Sequence, residues 1–216
     1  MWTSRYELAR KRVEETPRSL GGWTALGADD DGSERKTIDV IDNHIYFYAD
    51  IDADTGLKLM RTVHKLDKEL RTQHLTHEMD EVPLTPIWLH VHSYGGSLFA
   101  GFSIADQLAL VKSPLISVVE GICASAATLI AMSAAKRYIL PNSFVLIHQL
   151  STLMWGTHEQ FKDEMTLQSK AMERLVEFYS QRSHVSADEV RSMLTHDYWL
   201  DAERAVEHGF VDKILR

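Results

Sequence analysis

One cysteine, Cys123, is all the thiol chemistry the chain has. That excludes an internal disulfide framework and any cysteine-rich zinc site. Cations are also short: 23 lysines and arginines stand against 31 aspartates and glutamates, for a formal net charge of -8. Phosphate contacts need clustered cations, so nonspecific nucleic-acid binding is disfavoured. Long hydrophobic runs are missing as well. The longest apolar-rich stretch, Gly121 to Ala135, contains Ser125, Thr128 and Ser133 and is too short for a membrane span. The opening residues Met-Trp-Thr-Ser-Arg-Tyr-Glu have no apolar core, which argues against a secretory signal. No G-x-x-x-x-G-K-[ST] loop occurs, so any ATP-driven work falls to a partner. These absences predict a protein of a reducing compartment, the cytoplasm by default, with no membrane or nucleic-acid partner.

What is present is an ordinary globular composition, 44% hydrophobic and 25% charged over 216 residues. That length suits one domain with an appendage. Residues 1–36 read as the appendage: a charged segment from Arg5 to Glu15, then Gly21-Gly22, Gly27 and an acidic run ending at Gly32. From residue 37 the pattern is globular. Strands are expected at Ile45 to Ala49, Ile87 to Val91, Leu115 to Val119 and Phe144 to His148. Helices are expected at Asp54 to Leu70, Leu98 to Lys112 and Ala126 to Ala135, with 71–86 read as a loop or insertion. The alternation predicts an α/β fold with parallel pairing. Phe161, Met165, Gln168, Met172, Leu175, Val176 and Tyr179 recur at three or four, which predicts one long amphipathic helix over 158–183. Phe161, Met165, Met172 and Leu175 are expected on its free apolar face. Ser186 to Glu189 has the form of a capping box, and Asp201 can cap a last helix that stops at Gly209.

Four places could carry chemistry. Gly121-Ile-Cys-Ala-Ser125-Ala-Ala sets Ser125 where a strand turns into a helix of small residues. A nucleophilic serine suits such a place, because its attack creates an oxyanion. On local sequence alone the same serine reads first as a helix N-cap. Ser93-Tyr-Gly-Gly-Ser97 is either half of an oxyanion hole or a plain strand-to-helix turn. His148, at the end of an apolar strand, is either a general base or structural. Asp197 either orients that histidine or caps a turn. Cys123 reads as a small buried residue. His90 and His92 share a strand face but lack a third ligand, and read as structural rather than metal-binding.

Taken in order, Ser93-Tyr-Gly-Gly-Ser97, Cys123-Ala-Ser125-Ala, Leu140-Pro-Asn-Ser143, Leu146-Ile-His-Gln149 and Asp197-Tyr-Trp-Leu-Asp-Ala202 resemble the ClpP family, the proteolytic subunits of the Clp protease. His208-Gly-Phe-Val-Asp-Lys213 looks like the family's closing segment, and Ser33 to Val40 more weakly like its axial-loop entrance. The resemblance covers about residues 34–216. It implies a crotonase-like spiral of β-β-α units with a protruding handle helix, the handle region lying at about 150–185. It implies Ser125 as nucleophile, His148 as general base and Asp197 as its orienter. Gly96 and Ala126 N–H groups form the implied oxyanion hole, and no metal or cofactor is called for.

The implied activity is that of a serine endopeptidase cutting unfolded polypeptides inside a ring homo-oligomer of stacked heptamers. An AAA+ unfoldase of the ClpX or ClpA kind would supply the unfolding. The departures are Tyr94 for the family's usual proline, Ala126 for methionine and Leu150 for proline, together with 1–32 and the 71–86 insertion. They bear on specificity, ring contacts and gating. Two rivals are a noncatalytic ring subunit and an acyl-CoA enzyme of the crotonase superfamily.

Overall fold

The computed structural model of the protein describes residues 38–76, 82–152 and 154–216. Lys36–Arg216 forms one compact unit. The expected appendage over 1–36, its helix at Arg5 to Glu15 and all but the end of the axial-loop segment lie outside the described residues. The chain is mixed α/β, as the alternation predicts. In order, β1 is Ile38–Ile41, β2 His44–Tyr48, α1 Ala53–Thr76, β3 Ile87–Ser93, α2 Leu98–Leu108, β4 Leu115–Ala124, α3 Ala126–Ala131, β5 Lys136–Ile139 and β6 Phe144–Ile147. Then follow α4 His158–Arg182, α5 Ala187–Met193, β7 Tyr198–Leu200, α6 Ala202–Glu207 and β8 Lys213–Ile214.

The sheet runs β1-β2-β3-β4-β5-β8, with β6 joining β4 on one side and β7 on the other. The pairs β2·β3, β3·β4, β4·β5 and β4·β6 are parallel. Each parallel step from β2 to β5 is made through one helix, which folds back over the same face. β3 shows why the sheet has a dry side: Ile87, Leu89, Val91 and Ser93 are buried, while Trp88, His90 and His92 alternate with them toward the other face. Leu59, Val63, Ile104, Leu129 and Ile130 from α1, α2 and α3 complete the same core.

The outer face carries a connected set of rings. Tyr46 stacks on His90 and Tyr48 on His92. His90 Nδ1 is 2.6 Å from Glu120 Oε1, and His44 Nδ1 is 2.9 Å from His90 Nε2. Tyr48 donates its hydroxyl proton to Glu120 Oε2. His90 and His92 are thus bound into the sheet's outer surface. Burial, followed by the Glu120 bond, pushes the Tyr48 phenol up to about 12.

Several boundaries differ from expectation. Helix α1 runs to Thr76, into the stretch expected to be a loop. Lys68, Glu69, Arg71 and Gln73 are good helix formers, and the Thr72 and Thr76 hydroxyls bond back to the carbonyls four residues earlier. The strand expected to stop at Val119 continues to Ala124. Gly121, at φ 65°, does not turn the chain away but bends β4. Before the bend Ile116–Val119 pair with β5; after it Ile122–Ala124 pair with β6. The Gly121 N–H, lost to the ladder there, is taken up by Ser143 Oγ at 2.7 Å. Helices α2 and α3 end earlier than expected.

Helix α4 covers the expected long segment and begins with a capping box at Thr157 and Gln160. Its apolar residues serve two purposes, which corrects the expectation of one free face. Leu175 is only 3% exposed, inside this chain's own core, and Met172 packs against that core. The first turns are the exposed part, with Phe161 at 38% and Met165 at 64%.

Candidate active site

Ser125 stands where β4 ends and α3 begins, at φ 55° and ψ -128°. An L-residue rarely adopts that backbone, because its Cβ crowds the neighbouring carbonyl. The reading of Ser125 as an ordinary N-cap therefore meets two objections. N-cap residues sit in extended backbone, and the Ser125 side chain makes no capping bond. Ser97, Thr157, Ser186 and Asp201, by contrast, are all extended and all cap their helices through side-chain oxygens. The Ser125 backbone is clamped instead. Its N–H donates to Leu146 O at 2.8 Å, and its carbonyl accepts from Thr128 N–H at 3.0 Å.

The Ser93–Ser97 loop is wedged against this turn. Ile51 N–H donates to Gly95 O and Ser97 N–H to Ile51 O, both at 2.7 Å, so Ile51 straps the loop from one side. On the other side Gly95 touches the serine turn. A Cβ at Gly95 would lie 2.5 Å from Ala124 O, 2.7 Å from Ser125 Cβ and 3.0 Å from Ala126 N. A Cβ at Gly96 would lie 2.2 Å from Ile51 O. The paired glycines are what let two backbones approach here. Among the described residues, neither Gly96 N–H nor Ala126 N–H has a hydrogen-bond acceptor. The sequence offered no signal for Ile51, whose contribution is entirely main-chain.

His148 follows the last residue of β6, and Asp197 precedes the first of β7. β6 and β7 are antiparallel with Ile147 opposite Tyr198. The ladder stops there, with His148 the next residue on one strand and Asp197 the preceding residue on the other. β4 and β6 pair Ala124 with Leu146, so Ser125 ends its strand at the same edge. Ser125 thus lies one residue past a β4·β6 pair, and His148 and Asp197 each lie one residue outside the β6·β7 ladder. Among the described residues no hydrogen bond joins Ser125 to His148, and neither bond nor ion pair joins His148 to Asp197. His148 Nε2 is buried without a partner among the described residues, while Asp197 is exposed.

Cys123 is fully buried two residues before Ser125, and burial pushes its thiol well above the ordinary range. A thiol that keeps its proton is a poor nucleophile, so this cysteine is packing. Among the described residues no cluster of three or more histidine, cysteine, aspartate or glutamate side chains could hold a metal, and no helix is long and apolar enough to cross a membrane.

Comparison with known proteins identifies the family of the chain. The family model described as Clp protease matches residues 42–216. A protein named ATP-dependent Clp protease proteolytic subunit from Streptococcus mutans is 35% identical over 133 residues, 60% of this chain and 68% of the relative. One named ATP-dependent Clp protease proteolytic subunit 2 from Tropheryma whipplei is 32% identical over 152 residues, 69% of this chain and 84% of the relative. With the matched segment spanning every element described above except β1, the chain belongs to the Clp protease family and is a protease of that family.

Proposed function

We propose that the chain is a serine endopeptidase with Ser125 as nucleophile, His148 as general base and Asp197 as the residue that orients it. The observation that carries this is Ser125 itself. It is held in a backbone conformation that costs stability, with a side chain that makes no capping bond, and the N–H of the next residue, Ala126, like that of Gly96, has no acceptor among the described residues. Strain of this kind is characteristic of sites where a side chain must be presented rather than packed.

In the reaction, His148 Nε2 takes the Ser125 proton as Oγ attacks a peptide carbonyl carbon. The carbonyl oxygen becomes an oxyanion and lies between Gly96 and Ala126 N–H. His148 then gives that proton to the leaving amine as the C–N bond breaks, and an acyl-enzyme forms on Ser125. Water repeats the cycle in reverse order and releases the acid. Asp197 holds the imidazole and offsets its positive charge while it is protonated. In the isolated chain Asp197 faces solvent. The relay closes when the Asp197 carboxylate turns toward His148, a tightening ordinary on substrate binding.

The remaining parts of this reading are proposed from the resemblance to that family. Residues 37–216 form the peptidase domain, and residues 1–36 are an extension that leads into an axial loop. Copies assemble into stacked rings, heptameric by resemblance, in the cytoplasm. An AAA+ unfoldase feeds unfolded chains to the enclosed sites. The exposed first turns of α4 support the ring-stacking part.

The test is to label the pure protein with a serine-reactive fluorophosphonate and map the adduct by mass spectrometry. A single adduct at Ser125, absent in Ser125→Ala together with peptide hydrolysis, is the expected result. An adduct at Ser97, or none in an assembled protein, overturns the assignment. The latter result would favour a noncatalytic ring subunit.

A further inference from the structure

Two side chains outside that mechanism hold the Ser125–Ala126 peptide from behind. Thr128 Oγ1 lies 2.6 Å from Ser125 O and 2.6 Å from Tyr179 Oη. Counting protons sets the direction of this chain of bonds. A carbonyl only accepts, so Thr128 gives its one hydroxyl proton to Ser125 O, and Tyr179 must donate into Thr128 Oγ1. Tyr179 comes from α4 and is enclosed in the core, with Phe178 and Phe210 against its ring. Burial raises its phenol well above the ordinary value, against a smaller lowering by the Thr128 bond, so it stays a donor at any working pH.

We infer that Thr128 and Tyr179 are positioning residues that aim and polarise the Ala126 N–H toward the reacting oxyanion. The inference deepens the proposed function and rests on Ser125 being the nucleophile. The peptide group is planar and trans, so its C=O and N–H point in opposite directions. Ser125 O is fixed by two donors, Thr128 N–H and Thr128 Oγ1, and fixing it fixes the Ala126 N–H on the far side. That side is where Gly95 leaves room, since a Cβ there would come 3.0 Å from Ala126 N.

Two consequences follow. A serine at φ 55° can relieve its strain by rotating this peptide, which would carry the N–H out of the hole; the Thr128 bonds oppose that rotation. Hydrogen bonds arriving at a peptide oxygen also polarise the group and make its N–H a stronger donor. Tyr179 acts through Thr128 and touches no reacting atom. Because it belongs to α4, the same bond ties the long helix to the serine turn.

The experiment compares Thr128→Val, Thr128→Ser, Tyr179→Phe and the Thr128→Val/Tyr179→Phe double variant in the full chain. Each is measured for kcat and KM on a fluorogenic peptide, for affinity toward a peptide boronate, and for Tm. The boronate's tetrahedral adduct places an oxygen in the hole, so it reports oxyanion binding directly. Removing an oxyanion donor outright costs a hundredfold or more; loosening one predicts a kcat loss of about tenfold in Thr128→Val, with KM held within about twofold. Boronate affinity should weaken by the same factor, and Thr128→Ser should restore both. Tyr179→Phe should fall between, and the double variant should be no worse than Thr128→Val.

Wild-type kcat in both Thr128→Val and Tyr179→Phe overturns the inference. So does a loss that follows Tm and is not recovered by Thr128→Ser. Fluorophosphonate labelling of the wild type, run alongside, separates the two readings. If Ser125 is not labelled, the nucleophile assignment has failed; if it is labelled and the variants behave as wild type, only the positioning role has.

Discussion

The backbone of Ser125 makes a prediction in which stability and activity move in opposite directions. Replacing Ser125 by alanine removes the hydroxyl but leaves a Cβ at φ 55° and ψ -128°. Replacing it by glycine removes the hydroxyl and the Cβ, and glycine adopts this backbone freely. Both variants should be inactive, so the comparison between them isolates the strain. A residue held in such a region costs about 1–3 kcal/mol, and the upper half applies here because the conformation is one glycine normally occupies. Glycine gives back about 0.4–1 kcal/mol through the greater freedom of its unfolded chain. The net gain for Ser125→Gly over Ser125→Ala is therefore about 1–2.6 kcal/mol. For a unit of this size each kcal/mol moves Tm by about 2–4 °C, so the glycine variant should melt about 2–10 °C higher. The assay is thermal unfolding of both variants at one protein concentration, since assembly makes Tm depend on concentration. A glycine variant that melts with or below the alanine variant would refute the claim that this turn stores strain, and with it the argument that Ser125 is presented for chemistry.

Three further outcomes are expected. Gly95→Ala should cost about 2–4 kcal/mol and abolish Ser125 labelling in whatever remains folded, because its Cβ would meet Ala124 O at 2.5 Å and the φ of 92° penalises any side chain; labelling at the wild-type rate would contradict it. Tyr48 binds its proton more tightly folded than unfolded, so its contribution to stability is whole below its unfolded value near pH 10 and fades as pH rises toward about 12. Melting curves from pH 9 to 12 should therefore fall less steeply in Tyr48→Phe than in the wild type, and parallel curves would exclude the effect. If copies stack as proposed, Phe161→Asp/Met165→Asp should halve the native mass while peptide hydrolysis persists, since both side chains are exposed on one face of α4; an unchanged mass would refute a part for α4 in ring stacking.

Much of this protein is written in neighbouring residues. The capping box at Ser186, the cap at Asp201 and the apolar spacing of α4 are legible because each involves residues near one another along a helix. The Ser125 turn and the Gly95-Gly96 pair are legible for the same reason, as short-range chemistry. Other features depend on partners distant along the chain. β1, β5, β7 and β8 have at most four residues each, too short to show alternation, and exist because an adjacent strand offers an edge. Whether Gly121 turns the chain or bends a strand was decided by β5 and β6, which claim the two halves of β4. The antiparallel match of β6 with β7 sets Ile147 opposite Tyr198, next to His148 and Asp197, and nothing near either residue states that register. Tyr179 reads along the chain as one more apolar position of a helix, and only packing brings its hydroxyl to Thr128. Local sequence determines which conformations a segment can adopt, through propensity, caps and sterics; long-range pairing and packing select among them, because the free energy of a buried contact belongs to both of its partners.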